Sequence, residues 1–124
     1  MAKRVLVVED NDLNRKLFGD VLKASGFEVE PVADGEIALN AARAFDPDLI
    51  IMDIQLPNIS GIELIAQVKQ DSYLKDVPVL AVTAYAGKGD EEQIRDAGAA
   101  DDLSKPVSIG PFMAAVKGLV GEPA

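Results

Sequence analysis

The stretch LIIMD, Leu49–Asp53, decides the fold, because four apolar residues follow one another without a break and then meet an acid. Two similar apolar runs lie at 5–8 and 79–82, and a weaker one lies at 27–32. Continuous runs of this length predict strands that are buried on both faces, which is typical of a parallel sheet. A fifth, weaker strand is predicted near 99–103.

Helical patterns fill the intervals between these runs. The apolar residues that recur at helical spacing are Leu13, Leu17, Phe18, Val21 and Leu22; Ile37, Ala38, Ala41, Ala42 and Phe45; Ile62, Ile65 and Val68; Ile94, alone in 90–97; and Ile109, Phe112, Met113, Val116 and Val120. Strands that alternate with helices predict an α/β fold with right-handed crossovers. We therefore expect a flavodoxin-like fold, a five-stranded parallel sheet in the order 2-1-3-4-5 flanked by five helices.

Length and composition narrow the range of functions. The 124 residues fit a single domain, 1–124, with no output domain after the last helix. The formal net charge of -9 argues against nucleic acid as a partner, because nucleic-acid binding would need a basic face. Cysteine and histidine are both absent, which excludes disulfides, Ser-His-Asp catalysis and zinc sites built from these residues. No apolar run is long enough for a signal peptide or a membrane span, so a cytosolic protein is expected.

Polar residues stand where the predicted strands end. Glu9 and Asp10 follow the first strand, Asp53 the third, Thr83 the fourth and Lys105 the fifth. Because the carboxyl ends of parallel strands share one edge of the sheet, these residues should form one cleft. Three carboxylates would repel one another unless a cation lies among them, and oxygen ligands alone favour Mg²⁺.

Such a group of residues suits phosphoryl transfer. Asp53 can be the nucleophile that forms an acyl phosphate, while a metal ion and Lys105 neutralise the phosphoryl oxygens and Thr83 donates a hydrogen bond to them. Taken singly, Asp10 is also explained as a helix cap, Thr83 as a strand end and Lys105 as a surface charge. The Gly-Lys-Gly pattern at 87–89 lacks the other residues of a phosphate-binding loop, so nucleotide binding is not expected there.

Four motifs together resemble the receiver domain of bacterial two-component response regulators. They are VEDN at 8–11, the segment 48–53 followed by Pro57 and Gly61, AVTA at 81–84, and Lys105-Pro106. The resemblance extends over residues 3–120 and implies the CheY-like form of the fold described above. Within this family, the stretches 8–14, 52–57, 81–86 and 88–92 are most similar to single-domain regulators of alphaproteobacterial cell-cycle signalling.

The resemblance implies roles for the residues at the strand ends. Asp53 would be the phosphoacceptor, and Thr83 and Lys105 would contact the phosphoryl group. The residues that would hold Mg²⁺ are Glu9, mainly through water, together with Asp10, Asp53 and the backbone carbonyl of Gln55.

The resemblance also implies a response to phosphorylation. Tyr85 would be an aromatic switch that turns inward as Thr83 moves, and Pro106 would follow a cis peptide bond with Lys105. This change would be a shift between two packings of one fold. An alternative for Tyr85 is a partly buried loop aromatic.

One position departs from the family pattern. Many receivers carry an aromatic residue three positions before the lysine, where this chain has Asp102. An exposed acid there would change the face formed by the fourth helix, the fifth strand and the fifth helix. The simpler alternative is one more solvated acid on an acidic chain.

The implied partners are histidine kinases or phosphotransfer proteins, without nucleic acid or membrane insertion, and the protein is expected to be a monomer. The start of the first helix, near Asn14 and Arg15, would dock the kinase; Phe18 is either part of that surface or a core residue. We expect a cytoplasmic protein that partners recruit to the cell pole. It would catalyse only its own phosphorylation and dephosphorylation.

Three alternatives share parts of this site. A phosphorelay intermediate that passes its phosphate onward would use every one of these residues, so the sequence does not separate it from a regulator. An interaction module that is never phosphorylated would not need them. An aspartyl-phosphate phosphatase or mutase would carry an acid two residues after the nucleophile, where this chain has Gln55.

Overall fold

The structure is a computed structural model, and it describes residues 3–57, 59–84 and 88–122. The predicted switch residue Tyr85 lies outside the described residues. Within the described part of the chain, no helix is both long enough and apolar enough to cross a lipid bilayer.

The elements follow one another as alternating strands and helices. The strands are β1 (Arg4–Val8), β2 (Glu28–Val32), β3 (Leu49–Asp53), β4 (Val79–Thr83) and β5 (Asp101–Ser104). The helices are α1 (Asp12–Ala24), α2 (Ala38–Phe45), α3 (Gly61–Gln70), α4 (Lys88–Ala97) and α5 (Ile109–Val120), and a short 3-10 helix at Gly35–Ile37 precedes α2. The strands form one parallel sheet in the order β2-β1-β3-β4-β5, which confirms the predicted flavodoxin-like topology.

Two apolar layers cover the sheet. Alternate residues of β1 contribute to different layers, Leu6 and Val8 to one and Val5 and Val7 to the other. The first layer packs under α2, α3 and α4, and the second under α1 and α5. This double coverage is the reason why β1, β3 and β4 read as continuous apolar runs. In the second layer Phe18 stacks on Phe112 with ring centroids 4.8 Å apart and is buried, as the core alternative predicts.

Four residues of the predicted apolar stripes are exposed instead of buried. The exposed fractions are 75% for Leu13, 38% for Leu17, 55% for Ile37 and 53% for Ile109. Each lies in the first two turns of a helical segment that follows a strand, where the helix extends past the carboxyl edge of the sheet. A helical stripe therefore predicts which face of the helix is apolar, but not how far along the helix the sheet reaches.

The end of the chain differs in detail from the sequence-based expectation. β5 occupies Asp101–Ser104 instead of 99–103, and α4 begins at Lys88, two residues before the predicted segment. Ile94, the only large apolar residue of that segment, is fully buried.

Asp102 is not the solvated acid that the sequence suggested. Its side chain is 8% exposed and forms an ion pair with Arg95 of α4, at 3.6 Å between Nη2 and Oδ1. Where many receivers have an aromatic residue, this chain therefore links α4 to β5 by opposite charges.

Candidate functional site

The strand register brings the predicted site residues to one edge. Val8 pairs with Met52 and Asp53 with Val82, so β1, β3 and β4 end almost level. Backbone hydrogen bonds continue past the strand ends. The N–H of Glu9 donates to the carbonyl of Val32 at 3.0 Å, and the N–H of Lys105 donates to the carbonyl of Thr83 at 2.7 Å. The residues that carry the functional side chains are thus fixed by the sheet itself.

Three carboxylates converge at this edge. One oxygen from each of Glu9, Asp10 and Asp53 lies within 4.8 Å of the others, so the three could hold a metal ion. Glu9 and Asp53 are 1% and 2% exposed, whereas Asp10 is exposed, so the cluster opens to solvent on one side. Asp10 does not cap α1, because the N-cap is Asn11, whose side chain accepts from the N–H of Asn14 at 2.9 Å. Oxygen-only donors of this kind fit a hard divalent ion.

Lys105 lies between the two buried carboxylates. Its Nζ donates to Glu9 Oε1 at 3.0 Å and to Asp53 Oδ2 at 3.2 Å. Burial tends to lower the pKa of Lys105, but the hydrogen bonds and charges of Glu9 and Asp53 outweigh it, and the pKa is raised. One ammonium group thus pairs with two buried carboxylates. The three carboxylates and Lys105 together therefore carry excess negative charge.

The same surroundings raise the pKa of Asp53. Burial, followed by the hydrogen bond and the charge of Glu9, raises its pKa from 3.8 to about 6. The backbone N–H of Gln55, which donates to Asp53 Oδ1 at 3.0 Å, and the charge of Lys105 oppose this rise without cancelling it. A cation bound among these carboxylates would remove the repulsion that raises this pKa.

The first turn of α1 holds Glu9 in place. Asn14 Nδ2 donates to Glu9 Oε1 at 3.0 Å, and Arg15 Nη1 donates to the backbone carbonyl of Glu9 at 2.9 Å. From the sequence, Asn14 and Arg15 are predicted only to lie on a docking surface. Their side chains follow Glu9 by five and six residues, a spacing that becomes informative only once the β1–α1 loop is known.

Gln55 takes part through its side chain as well as its backbone. Its Nε2 donates to Thr83 Oγ1 at 2.8 Å, and its Oε1 accepts from the N–H of Ala84 at 2.9 Å. From the sequence, its backbone carbonyl is predicted to bind the metal, and its side chain is noted only as not being an acid. The side chain links the end of β3 to the end of β4, directly beside the predicted phosphoacceptor.

The peptide bond between Lys105 and Pro106 is cis. Pro106 itself is exposed.

Three comparisons with known proteins agree with this geometry. The sequence model of the response regulator receiver domain matches residues 5–117. The chain belongs to the response regulator receiver family, and it is not a conventional enzyme. Members of this family are in general phosphorylated, bind Mg²⁺ and interact with kinases or phosphotransfer proteins.

Within that family the chain is similar to polar-differentiation response regulators. It is 49% identical to the polar-differentiation response regulator DivK of Brucella abortus (strain 2308), over 98% of this chain and 99% of the relative. The same identity and coverage hold for the DivK protein of Brucella ovis.

Solved structures place the fold in the same family. The chemotaxis protein CheY4 of Vibrio cholerae superposes with a TM-score of 0.91 at 28% identity, covering 96% of this chain and 99% of that chain. The receiver domain of a sensor histidine kinase from Pseudomonas aeruginosa PAO1 superposes with a TM-score of 0.89 at 31% identity, covering 98% of this chain and 100% of that chain. That structure carries a magnesium ion coordinated in its active site cleft.

Proposed function

We propose that this protein is a stand-alone response regulator that is phosphorylated on Asp53 and signals by binding partners in a phosphorylation-dependent way. The observation that carries the proposal is the position of the Asp53 carboxylate. It is buried at the end of β3, within 4.8 Å of ligand oxygens of Glu9 and Asp10, and Lys105 contacts it at 3.2 Å. A carboxylate that is held among a metal-binding cluster and a cation has the surroundings that a phosphoryl acceptor needs.

The phosphoryl donor would be a phosphohistidine on a histidine kinase or a phosphotransfer protein. An Asp53 carboxylate oxygen attacks the phosphorus in line, the new O–P bond forms, and the N–P bond breaks with its electron pair leaving on the imidazole nitrogen. The ammonium group of Lys105, which already contacts Asp53, neutralises negative charge on the transferred phosphoryl oxygens. The Thr83 hydroxyl donates a hydrogen bond to one of these oxygens. In a separate hydrolysis step, which the protein would catalyse on itself, water attacks the phosphorus and the O–P bond to Asp53 breaks, which releases inorganic phosphate and restores the carboxylate.

The cofactor of this reaction would be Mg²⁺. Asp10, Asp53 and the backbone carbonyl of Gln55 would hold it directly and Glu9 through water. When bound, the ion neutralises charge on the transferring phosphoryl group. The donor set supports this assignment, because it contains oxygen atoms only and the chain has no histidine or cysteine.

The likeness to DivK supports a role in cell-cycle or polarity control. Because this chain and that relative match over nearly their whole lengths, we propose that residues 1–124 form a single receiver domain. The signal would then leave through protein contacts of a monomer. We place it in the cytoplasm, recruited to the cell pole by its partners, and expect no nucleic-acid partner at a net charge of -9. A relay that passes its phosphate onward is the alternative, and it would use the same chemistry.

Intact mass spectrometry after incubation with acetyl phosphate tests the proposal. We expect a single phosphoryl adduct that requires Mg²⁺ and is absent in Asp53→Asn, since the amide is not a nucleophile. Asp20→Asn is the matched control, because Asp20 is an exposed acid of α1 that pairs with Lys16, and it should form the adduct normally. An adduct that persists in Asp53→Asn would place the chemistry elsewhere. A wild type that stays unmodified with acetyl phosphate and with a phosphorylated histidine kinase would support the interaction-module alternative.

An apolar surface beside the site is suited to docking the phosphohistidine donor. The exposed residues Leu13 and Leu17 lie in the first two turns of α1, and Ile109 begins α5. A cleft lined by Leu17, Lys105 and Pro106 reaches from α1 to the site lysine. The donor histidine has to reach Asp53 from the carboxyl edge of the sheet. A partner that covers these side chains would therefore hold its phosphohistidine close to Asp53.

Leu13→Ser is expected to slow transfer from a phosphorylated histidine kinase about tenfold, as loss of a well-packed interface side chain does. Transfer from acetyl phosphate should be unchanged, because that donor makes no contact with α1. Tyr73→Ser is the matched control, since Tyr73 is 82% exposed but lies in the connection between α3 and β4, at the opposite edge. The measurement is the rate of phosphoryl transfer to each variant from one purified kinase. Equal slowing with both donors would argue against docking at Leu13.

A further inference from the structure

The side chain of Gln55 bridges two loops that the proposed reaction has to move relative to each other. The N–H of Ala84 can only donate, so the amide oxygen of Gln55 faces it at 2.9 Å. The amide nitrogen therefore faces Thr83 Oγ1, to which it donates at 2.8 Å. Both contacts fall within good hydrogen-bond geometry, and together they fix the orientation of the amide group.

Both ends of this bridge are anchored. The backbone N–H of Gln55 donates to Asp53 Oδ1 at 3.0 Å, so its main chain is tied to the phosphoacceptor. At the other end, Thr83 is 1% exposed and ends β4, and Ala84 is the first residue after that strand. Gln55 thus connects Asp53, the proposed phosphoacceptor, by its backbone N–H to the Thr83 hydroxyl, which its side chain contacts and which is expected to respond.

We propose that the Gln55 side chain is a latch that holds Thr83 and the start of the following loop in the unphosphorylated arrangement. This inference rests on the proposed function. When the Thr83 hydroxyl turns toward a phosphoryl oxygen on Asp53, it leaves Gln55 Nε2, and Ala84 is displaced along with it. The hydrogen bonds of the latch therefore oppose the phosphorylated arrangement and set how strongly a phosphoryl group shifts the equilibrium. Gln55 acts here through Thr83, as a positioning residue.

The backbone role of the same residue is separate. The carbonyl of Gln55 is the proposed metal ligand, whereas the latch consists of side-chain atoms only. A substitution that keeps the length of the side chain and removes its polar atoms should release Thr83 and still retain the backbone carbonyl. Gln55→Met meets this requirement.

Binding of beryllofluoride in the presence of Mg²⁺, followed by calorimetry, measures the latch directly, because this anion occupies the place of a phosphoryl group on an aspartate. We expect Gln55→Met to bind it about fivefold to tenfold more tightly than the wild type, the equivalent of a net hydrogen bond of about 1 kcal/mol. Affinity for Mg²⁺ alone is measured for both proteins, so that a change in metal binding is separated from the release of Thr83. In a Thr83→Ala background most of the gain should disappear, since no hydroxyl is left to release.

Gln70→Met is the matched control, because Gln70 is an exposed residue at the end of α3, and its affinity should equal that of the wild type. Gln55→Ala is the second variant if methionine prevents folding, which circular dichroism would detect. An affinity of Gln55→Met that is unchanged or lower, or a gain that survives in full without the Thr83 hydroxyl, would overturn the latch. A wild type that binds no beryllofluoride with Mg²⁺ would overturn the proposed function together with it.

Discussion

Gly61→Ala is expected to lower the free energy of unfolding by about 3 kcal/mol. Gly61 is the first residue of α3, and its N–H donates to the carbonyl of Ile54 at 3.1 Å. A Cβ atom there would lie 2.6 Å from the Cα of Ile54 and closer still to the carbonyl oxygen of Asp53. Both are backbone atoms, so the start of α3 or the end of β3 would have to move.

The displacement should also reduce phosphorylation, because the backbone that would shift is that of Asp53 itself. Gly110→Ala is the matched control: Gly110 also lies in the first turn of a helix, α5, but a Cβ atom there meets nothing within 4 Å. That substitution should leave the protein unchanged or stabilise it by about 0.5 kcal/mol. Urea unfolding followed by far-ultraviolet circular dichroism compares the two. Equal stability of Gly61→Ala and the wild type would mean that the close approach is relieved without disturbing the strand.

The parts of the site that the sequence predicts are those that depend on the sheet alone. Asp53 and Thr83 end buried apolar strands, and in a parallel sheet such ends meet at one edge whatever the loops do. Their meeting point could therefore be predicted from 49–53 and 79–83 before any contact was known. Lys105 was placed by the same argument, although β5 is a short strand with little apolar signal.

The contacts that the sequence does not predict are made by side chains across loops. Nothing in the spacing of Gln55 and Thr83, 28 residues apart, indicates the hydrogen bond between them. The ion pair of Asp102 is also not predictable from the sequence. Its partner Arg95 lies on α4, and the packing of that helix on β5 depends on the whole fold. Leu13 was expected in the core because a stripe identifies the apolar face of α1 but not the point at which the sheet ends beneath it.

Lys105→Met is expected to slow phosphorylation about 100-fold, the effect of losing one preorganised charge at the reacting group. It should also destabilise the metal-free protein by about 2 kcal/mol at pH 8, because it removes the cation that lies between Glu9 and Asp53. The side chain of Lys105 is 20% exposed, so solvent partly screens its charge. The expected loss of about 2 kcal/mol already includes this screening. The measurements are the rate of adduct formation with acetyl phosphate and urea unfolding at several pH values.

The pH dependence of this destabilisation follows from the carboxylates. The pKa of Lys105 is raised in the folded state, so its own contribution is lost only as the pH rises through that value, above 10.5. The folded-state pKa of Asp53, about 6, lies above its value in the unfolded chain, so the folded protein holds this proton more tightly. Its contribution to stability is fully present below pH ~4 and is lost as the pH rises through about 6. Without Lys105 the pKa of Asp53 should rise further, so the destabilisation grows between pH 5 and pH 8.

Two controls separate charge balance from packing. Asp53→Asn removes one of the competing carboxylates and should stabilise the metal-free protein by about 2 kcal/mol at pH 8, with the gain shrinking toward pH 5. Lys117→Met removes an exposed lysine that pairs with Glu122 on the surface and should change stability by less than about 0.5 kcal/mol. Millimolar Mg²⁺ should recover much of the stability of Lys105→Met, because a bound cation restores the positive charge among the carboxylates. A loss that is independent of both pH and Mg²⁺ would instead assign the role of Lys105 to packing against Pro106 and α1.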